Sequence, residues 1–415
     1  MTTIDTTAAP AATRAVPVAV RDRIETLDIL RGFAVLGILA VNAIAFAWPG
    51  TMDTGSATVP FSMEGANRVA IWVVDVFFHN KCRTLFSMLF GVSIFLVGGE
   101  RSDRARGALL RRRLFFLAMF GLIHGLALWF GDILLLYAWA GVFMMLARSW
   151  TSKRLLWVGA ALVIAFSLLM IAGEGVGVIL SPVSDPAEFA EAVAKGQAAT
   201  LATVETVRSG WGAAMFENLK TWAMIQGMSV VLFVFPTVGL MMLGLGLFKS
   251  GYLAGRSSSW SYARALILGL AITVVFGVTE WLVLDPAPAP KPTLLADIVL
   301  DSLAPFVTLA WVALLILMTR HGFGVLTRRL APAGRMAFTN YLTQTIIMAS
   351  IFYMPWGPHL YGHVEPAGLW AIVAAIWLLQ LIWSPLWLSR FEMGPLEWVW
   401  RCLTYGRRVP LLKQA

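Results

Sequence analysis

Charge is scarce in this sequence: Asp, Glu, Lys and Arg make up 13% of 415 residues, against 59% hydrophobic. A soluble domain carries roughly 25% charged residues, so this chain cannot hide its apolar side chains in a water-facing fold and reads as a polytopic membrane protein. Cysteine is nearly absent. Cys82 and Cys402 stand in different regions, which excludes a disulfide framework and a Cys-based metal site. Of the five histidines, His359 and His363 alone have ligand-like spacing, but prolines surround them and no third ligand is near, so no metal is expected. There is no GxxxxGK[ST] loop, no GxGxxG after a strand, no HExxH and no GxSxG. Nucleotide hydrolysis, a Rossmann cofactor and the common hydrolase chemistries therefore have no support. A signal peptide is also missing, because residues 1–20 are Thr/Ala/Pro-rich without a long apolar run and read as a disordered cytoplasmic tail.

Apolar stretches of membrane-spanning length are abundant. Sliding along the chain marks ten expected helices, at 28–48, 72–99, 110–130, 132–148, 154–180, 219–248, 262–284, 296–319, 336–354 and 367–389. The net charge of +9 could suggest nucleic acid, yet its distribution follows the membrane. With the N-terminus inside, the odd-side loops hold most of the Lys and Arg, including Arg101, Arg104, Arg106 and Arg111–Arg113. Only Arg68, Lys81, Arg83, Lys195, Arg208, Lys220 and Lys291 are left for the other face. The positive-inside rule then sets both termini in the cytoplasm. The expectation is an all-α single bundle over 21–409, with a short tail at 410–415. The segment 181–218, carrying Asp185, Glu188, Glu191, Glu205 and Glu217, should lie as amphipathic helices along the outer face. Pro286, Pro288, Pro290 and Pro292 should stiffen the following outer loop.

Four polar clusters interrupt the apolar runs. In LDILRGFAVLGILAVN, residues 27–42, Asp28 and Arg31 are three apart and share a helix face, and Asn42 returns to nearly the same azimuth roughly 16 Å further on. Polar groups in lipid usually face a bundle interior or cavity, although a juxtamembrane ion pair plus an interhelical Asn hydrogen bond would also account for the stripe. His79-Asn80-Lys81-Cys82-Arg83 either breaks the second helix beside a wet cavity or snorkels to the outer surface. Gly121 and Gly125 form a GxxxG step that presses His124 into the bundle, where it is a hydrogen-bonded structural residue or a base. Asp132 caps the next helix or, if it meets His124, raises that imidazole's basicity. Arg335, Asn340 and Gln344 start the ninth helix, with a cation suited to a phosphorylated ligand or to lipid headgroups. Glu392 and Glu397, beside Arg390 and Arg401, read as an interfacial C-terminal cap.

At LDILRGFAVLGILAVN, KCRTLFSMLFG, GLIHGLALWFGDILLLYA, GRMAFTNYLTQ and FEMGPLEWVWR the chain resembles the YeiB-like family of uncharacterised bacterial inner-membrane proteins, domain-of-unknown-function family 418, from about residue 21 to 409. LDxxRG followed by Asn also resembles the membrane-bound acyltransferases that include heparan-α-glucosaminide N-acetyltransferase and the bacterial O-acyltransferases of surface polysaccharides. That likeness implies transfer of an acyl group from cytoplasmic acyl-CoA to a glycan, lipid or small-molecule acceptor across a bundle of ten or eleven helices. On that reading Arg31 and Arg335 bind the donor's phosphates or pantetheine, Asn42, Lys81 and Arg83 line the passage, and Asp28, Asn340 and Gln344 complete the substrate-binding set. The bacterial enzymes carry a catalytic His where this chain has Asn42, and the heparan-type His lies in a loop where this chain has none before Asp75. The base would then be His124 with Asp132, or else His79. The competing expectation is a transporter or exporter of a lipid or small metabolite, without covalent chemistry. Membrane lipids and a second copy of the chain are the other expected partners, and nucleic acid is not.

Overall fold

The computed structural model describes residues 24–49, 59–180, 186–285 and 289–413. The expected N-terminal tail, Asp185, Pro286 and Pro288 lie outside the described residues, as does the end of the C-terminal tail. Among the described residues there are sixteen α-helices and one π turn. The first half runs α1 Glu25–Ala47, α2 Gly65–Phe77, α3 Lys81–Gly98, α4 Arg104–Ala127, α5 Leu134–Ala147, α6 Ser152–Leu180, α7 Pro186–Arg208 and α8 Trp211–Met228. The second runs α9 Val234–Lys249, α10 Ser259–Val283, α11 Lys291–Asp301, α12 Ala304–Arg320, α13 Gly324–Arg335, α14 Ala337–Phe352, α15 Pro366–Arg390 and α16 Pro395–Tyr405. Among the described residues no strand forms, apart from one isolated bridge between Phe391 and Leu412.

Among the described residues six continuous segments are long and apolar enough to cross a membrane, or seven when the bent pair α11 and α12 counts as one. The others fall short for visible reasons. α4 opens on a run of arginines, and α5 and α14 have only 14 and 16 residues. The stretch expected as one helix at 72–99 is broken at Phe78–Asn80, where Asn80 takes φ 55°, a left-handed conformation that Asn tolerates better than most residues. The helix expected from 219 starts instead at Trp211 and continues to Lys249 through a single π turn, Ser229–Phe233. Pro236 lies just beyond that turn and offers no N–H to the Leu232 carbonyl, the usual setting for such a register change. Residues 211–218 therefore belong to a helix long and apolar enough to cross a membrane, and only α7 remains of the expected surface segment.

Burial sorts the helices into shells. The apolar window of α1 is 78% buried and that of α6 only 11%, although both are hydrophobic all round. α1 is thus the axis of the bundle and α6 its rim. Close approach to α1 comes from a reciprocal pair of glycines: a Cβ on Gly32 would stand 2.1 Å from the Leu330 carbonyl oxygen, and one on Gly334 would stand 1.8 Å from that of Asp28. α1 and α13 therefore cross backbone to backbone. The crossing sets Arg31 and Arg335, each next in sequence to one of these glycines, at the same end of the bundle.

Gly334→Ala should accordingly force the two helices apart, at a cost of about 1–3 kcal/mol or more from overpacking. Gly173→Ala, on the open face of α6 with nothing within 4 Å of its Cβ position, should be neutral or slightly stabilising. Melting of the two purified variants in detergent checks the contrast.

Candidate functional site

The N-terminal half of α1 forms one wall of a cavity of about 320 Å³. Asp28, Arg31, Arg113, Arg335, Glu397 and Arg401 surround its charged end. Phe86, Phe90 and Leu117 line its flanks, and Ile38, Tyr137 and Tyr341 its deep end, roughly 15 Å along α1 from Asp28 by helix rise. Arg31 Nη1 donates to Asp28 Oδ1 at 2.8 Å, one helical turn away. Arg335 Nη2 donates to the Glu392 carbonyl at 3.1 Å, and the Arg113 guanidinium lies 3.7 Å from the centre of the Trp400 ring. Each cation is oriented by a second group, and the end as a whole mixes arginines with carboxylates.

Glu397 does more than the surface capping its sequence context suggested. Its Oε1 accepts from the backbone N–H groups of Phe338, at 2.8 Å, and Thr339, at 3.1 Å, so it caps α14 from α16 while lining the cavity. Burial pushes its carboxyl above the usual glutamate range, and the hydrogen bonds from Thr339 and Phe338 act against that rise. The sequence missed Arg113, Tyr137, Tyr341, Glu397 and Arg401 as lining residues. Each reads alone as an ordinary interfacial cation or core aromatic, and only the packing of α4, α5, α14 and α16 around α1 gathers them.

Beyond the deep end lies the buried pair His124 and Asp132. α4 stops after His124, whose carbonyl accepts from Leu128 and Trp129, and Asp132 then opens α5 by accepting from Leu134 N at 3.2 Å and Leu135 N at 2.9 Å. His124 Nδ1 meets Asp132 Oδ1 at 2.9 Å, and Nε2 meets Thr345 Oγ1 at 3.0 Å. Asp132 therefore caps α5 and also meets the imidazole. With the carboxylate accepting from Nδ1–H, Nε2 is the acceptor nitrogen and the Thr345 hydroxyl donates a hydrogen bond to it. The ring is 1% exposed and lines neither cavity described here. It stands between them. Tyr341, which lines the first cavity, lies 5.3 Å from it between ring centres, and Trp129, which lines a second, lies 6.5 Å away.

The remaining predicted residues form separate groups. Lys81 is buried at the broken turn, donating to the Asp75 carbonyl at 2.8 Å, 3.7 Å from Asp301 Oδ1 and 4.3 Å from the Phe276 ring centre. Glu280 and Asp297 complete its acidic surroundings. Its neighbour Cys82 packs where a Cβ on Gly37 would fall, so this charge sits at the depth of the middle of α1. Arg83 Nη2 donates to Asn80 Oδ1 at 2.9 Å, and half-exposed His79 lies 3.8 Å from Asp75. None of these three lines either cavity, so the continuous passage expected through Lys81 and Arg83 is not formed by these walls. Asn340 donates to the Ala333 carbonyl and Ser384 Oγ, and Gln344 to the Val35 carbonyl and Gln380 Oε1. Both tie α14 to its neighbours. Asn42 is half-buried outside both cavities. Among the described residues no group of His, Cys, Asp and Glu could hold a metal ion.

An all-helical bundle with several membrane-length helices, a charged-ended cavity on its central helix and a buried His–Asp pair behind it defines a helical membrane protein with an internal ligand-sized site. The chain belongs to the YeiB-like family of bacterial proteins, and the profile of "Protein of unknown function (DUF418)" matches residues 247–407. It is 30% identical to the uncharacterized protein YxaH of Bacillus subtilis (strain 168), over 96% of this chain and 98% of that one. It is also 30% identical to the uncharacterized protein YeiB of Escherichia coli (strain K12), over 95% and 99%.

Lys81→Met should be among the most damaging single changes, because it strips the counter-charge from buried carboxylates, an imbalance typically costing about 3–5 kcal/mol. Adding Glu280→Gln should recover part of the loss. Denaturation of the single and double variants tests this, and equal stability for the two would mean that Glu280 does not sense the Lys81 charge.

Proposed function

We propose that the chain is a transmembrane acyltransferase of the bacterial cytoplasmic membrane, with ten crossings and both termini inside, drawing its acyl group from cytoplasmic acyl-CoA. The observation that carries this reading is the cavity at the N-terminal end of α1, which joins arginines at one end to an apolar, aromatic interior that stops one residue short of a buried His–Asp pair. At about 320 Å³ it falls within the usual range for small-ligand pockets, roughly 300–1,000 Å³. An anionic head with an apolar arm is the chemistry such a cavity complements, and in acyl-CoA the phosphates would meet Arg31 and Arg335 while the acyl-pantetheine arm runs inward. His124 would take the proton of an acceptor hydroxyl as that oxygen attacks the thioester carbonyl. The new ester bond forms, the C–S bond breaks, and the proton ends on the departing thiolate. For this, Thr345 must turn aside and release Nε2, and the Tyr341 ring must swing clear of the path from the cavity. The ten crossings are supported by the helices found at every expected segment together with the Lys/Arg asymmetry of the loops.

A second reading has its own support. Lys81 and its carboxylates at the depth of mid-α1 are the kind of intramembrane charge that marks ion or proton pathways, which would suit a transporter of an amphiphilic anion. The two readings part on covalent chemistry.

Acyl-CoA should raise the melting point of the purified protein, since a ligand at a hundred times its Kd contributes about 2.7 kcal/mol to stability. Arg31→Lys, which keeps the charge and loses the fork, should fold and lose most of that shift. His124→Gln should keep the shift and lose transfer by about 10²–10⁴-fold. A glutamine variant that still transfers would remove His124 as the base, and stabilisation with no turnover on any acceptor would favour transport. Reporter fusions at residues 105 and 200 should report opposite sides of the membrane, and a shared side would break the topology.

A further inference from the structure

The run Arg111–Arg113 lies in the first half of α4, and helix geometry divides it. Arg111 and Arg112 are exposed, whereas Arg113 shares its face with Leu110 and Leu117, three residues before it and four after, both of them buried. Arg113 and Leu117 line the same large cavity. The Arg113 guanidinium lies 3.7 Å from the centre of the Trp400 ring, and the Trp400 indole N–H donates to the Arg113 carbonyl at 3.0 Å. One residue of α16 thus holds both the backbone and the side chain of this arginine.

Contact with an aromatic ring through the face of a guanidinium leaves its in-plane N–H donors for another partner. Among the described residues the Arg113 side chain makes no hydrogen bond and no ion pair. Its nitrogens are not sealed in protein either: they keep accessible surface, and they do so on the cavity wall. The neighbouring charges do not supply the missing partner. Arg401 and Arg31 repel Arg113, and Glu397 attracts it from beyond ion-pair distance. Glu397 is itself held by the N–H groups of Phe338 and Thr339 and by the Thr339 hydroxyl, while Asp28 pairs with Arg31. A half-buried guanidinium with like charges beside it is costly unless an anion neutralises it.

We infer that Arg113 is the seat of the ligand's anionic group, and that this group is a phosphate ester on an apolar arm. Arg31 and Arg401 line the same end of the cavity, and a phosphate offers three acceptor oxygens to three guanidinium groups where a carboxylate offers two. Phe86, Phe90 and Leu117 then receive the arm. Acyl-CoA and a single-chain phospholipid both present this chemistry. The seat needs no covalent step, whereas its occupation by an acyl donor rests on the transfer reading.

Calorimetry of the full chain in an uncharged maltoside detergent tests it, with octyl phosphate as probe and octanoate as the carboxylate control. Octyl phosphate should bind about tenfold more tightly than octanoate. Arg113→Gln should weaken octyl phosphate by about 10–100-fold and collapse its advantage over octanoate, a ratio that a merely structural residue would leave alone. Arg111→Gln, on the exposed side of the same turn, should change neither. Arg113→Lys keeps the charge without the fork and should lose several-fold, which serves as the test if the glutamine variant does not fold. Acyl-CoA and lysophosphatidate are then titrated against bound octyl phosphate. Displacement by acyl-CoA supports both the seat and the donor as its occupant. Displacement by lysophosphatidate alone keeps the seat and removes the donor from it. Octyl phosphate binding that the Arg113 variants retain in full, that octanoate equals, or that neither amphiphile displaces overturns the inference, even where acyl-CoA still stabilises the protein.

Discussion

The crossing of α1 and α13 at Gly32 and Gly334 is the contact on which the rest of the arrangement depends. Two helices packed through ordinary side chains keep their axes about 8–10 Å apart. Here each glycine sits where a Cβ would overlap the other helix's carbonyl, so the axes must come closer than that. This brings the N-terminal turn of the central helix, with Asp28 and Arg31, beside Arg335 and the start of α14. α16 then folds over the same end and supplies Glu397, Trp400 and Arg401. The polar cavity exists because two backbones are allowed to touch.

Electrostatics shapes what surrounds that contact. In a bundle whose outer shell faces lipid, every buried charge needs a partner, and the structure meets the demand in three ways. Arg31 and Asp28 pair within one helical turn. Glu397 is held by backbone N–H groups at a helix start, where the dipole favours an anion. Lys81 is wrapped by carbonyl, carboxylate and aromatic ring at a broken turn. The first and second leave groups facing a cavity, and the third does not. That difference separates residues that can meet a ligand from residues that hold the bundle together, although all of them look alike as charges in an apolar sequence.

The His124–Asp132 pair divides the interior. A cavity with cations lies on one side, a smaller one lined by Trp129 lies on the other, and one aromatic ring stands between each and the imidazole. Two glycines of α4 allow this packing: Gly121 makes room for Asp132 and the start of α5, and Gly125 for Trp222.

Much of this was legible before any coordinates. The scarcity of charge dictated a helical membrane protein, because only helices or closed barrels satisfy a backbone in lipid and the apolar runs have helical length. The spacing of Asp28 and Arg31 foretold their pairing, and GxxxG foretold a buried His124. Other features required the fold itself. The polar run at His79–Arg83 left a broken helix and a snorkelling one both open until Asn80 is seen in the left-handed region, and no local pattern shows that the long apolar helix begins at Trp211 and not at Leu219. Asn340 and Gln344 share a face as their spacing says, yet that face meets α15, α13 and α1 instead of a cavity. Periodicity determines which residues lie together on one helix. Which helix they meet, and whether space is left between, is decided by contacts between residues some three hundred positions apart.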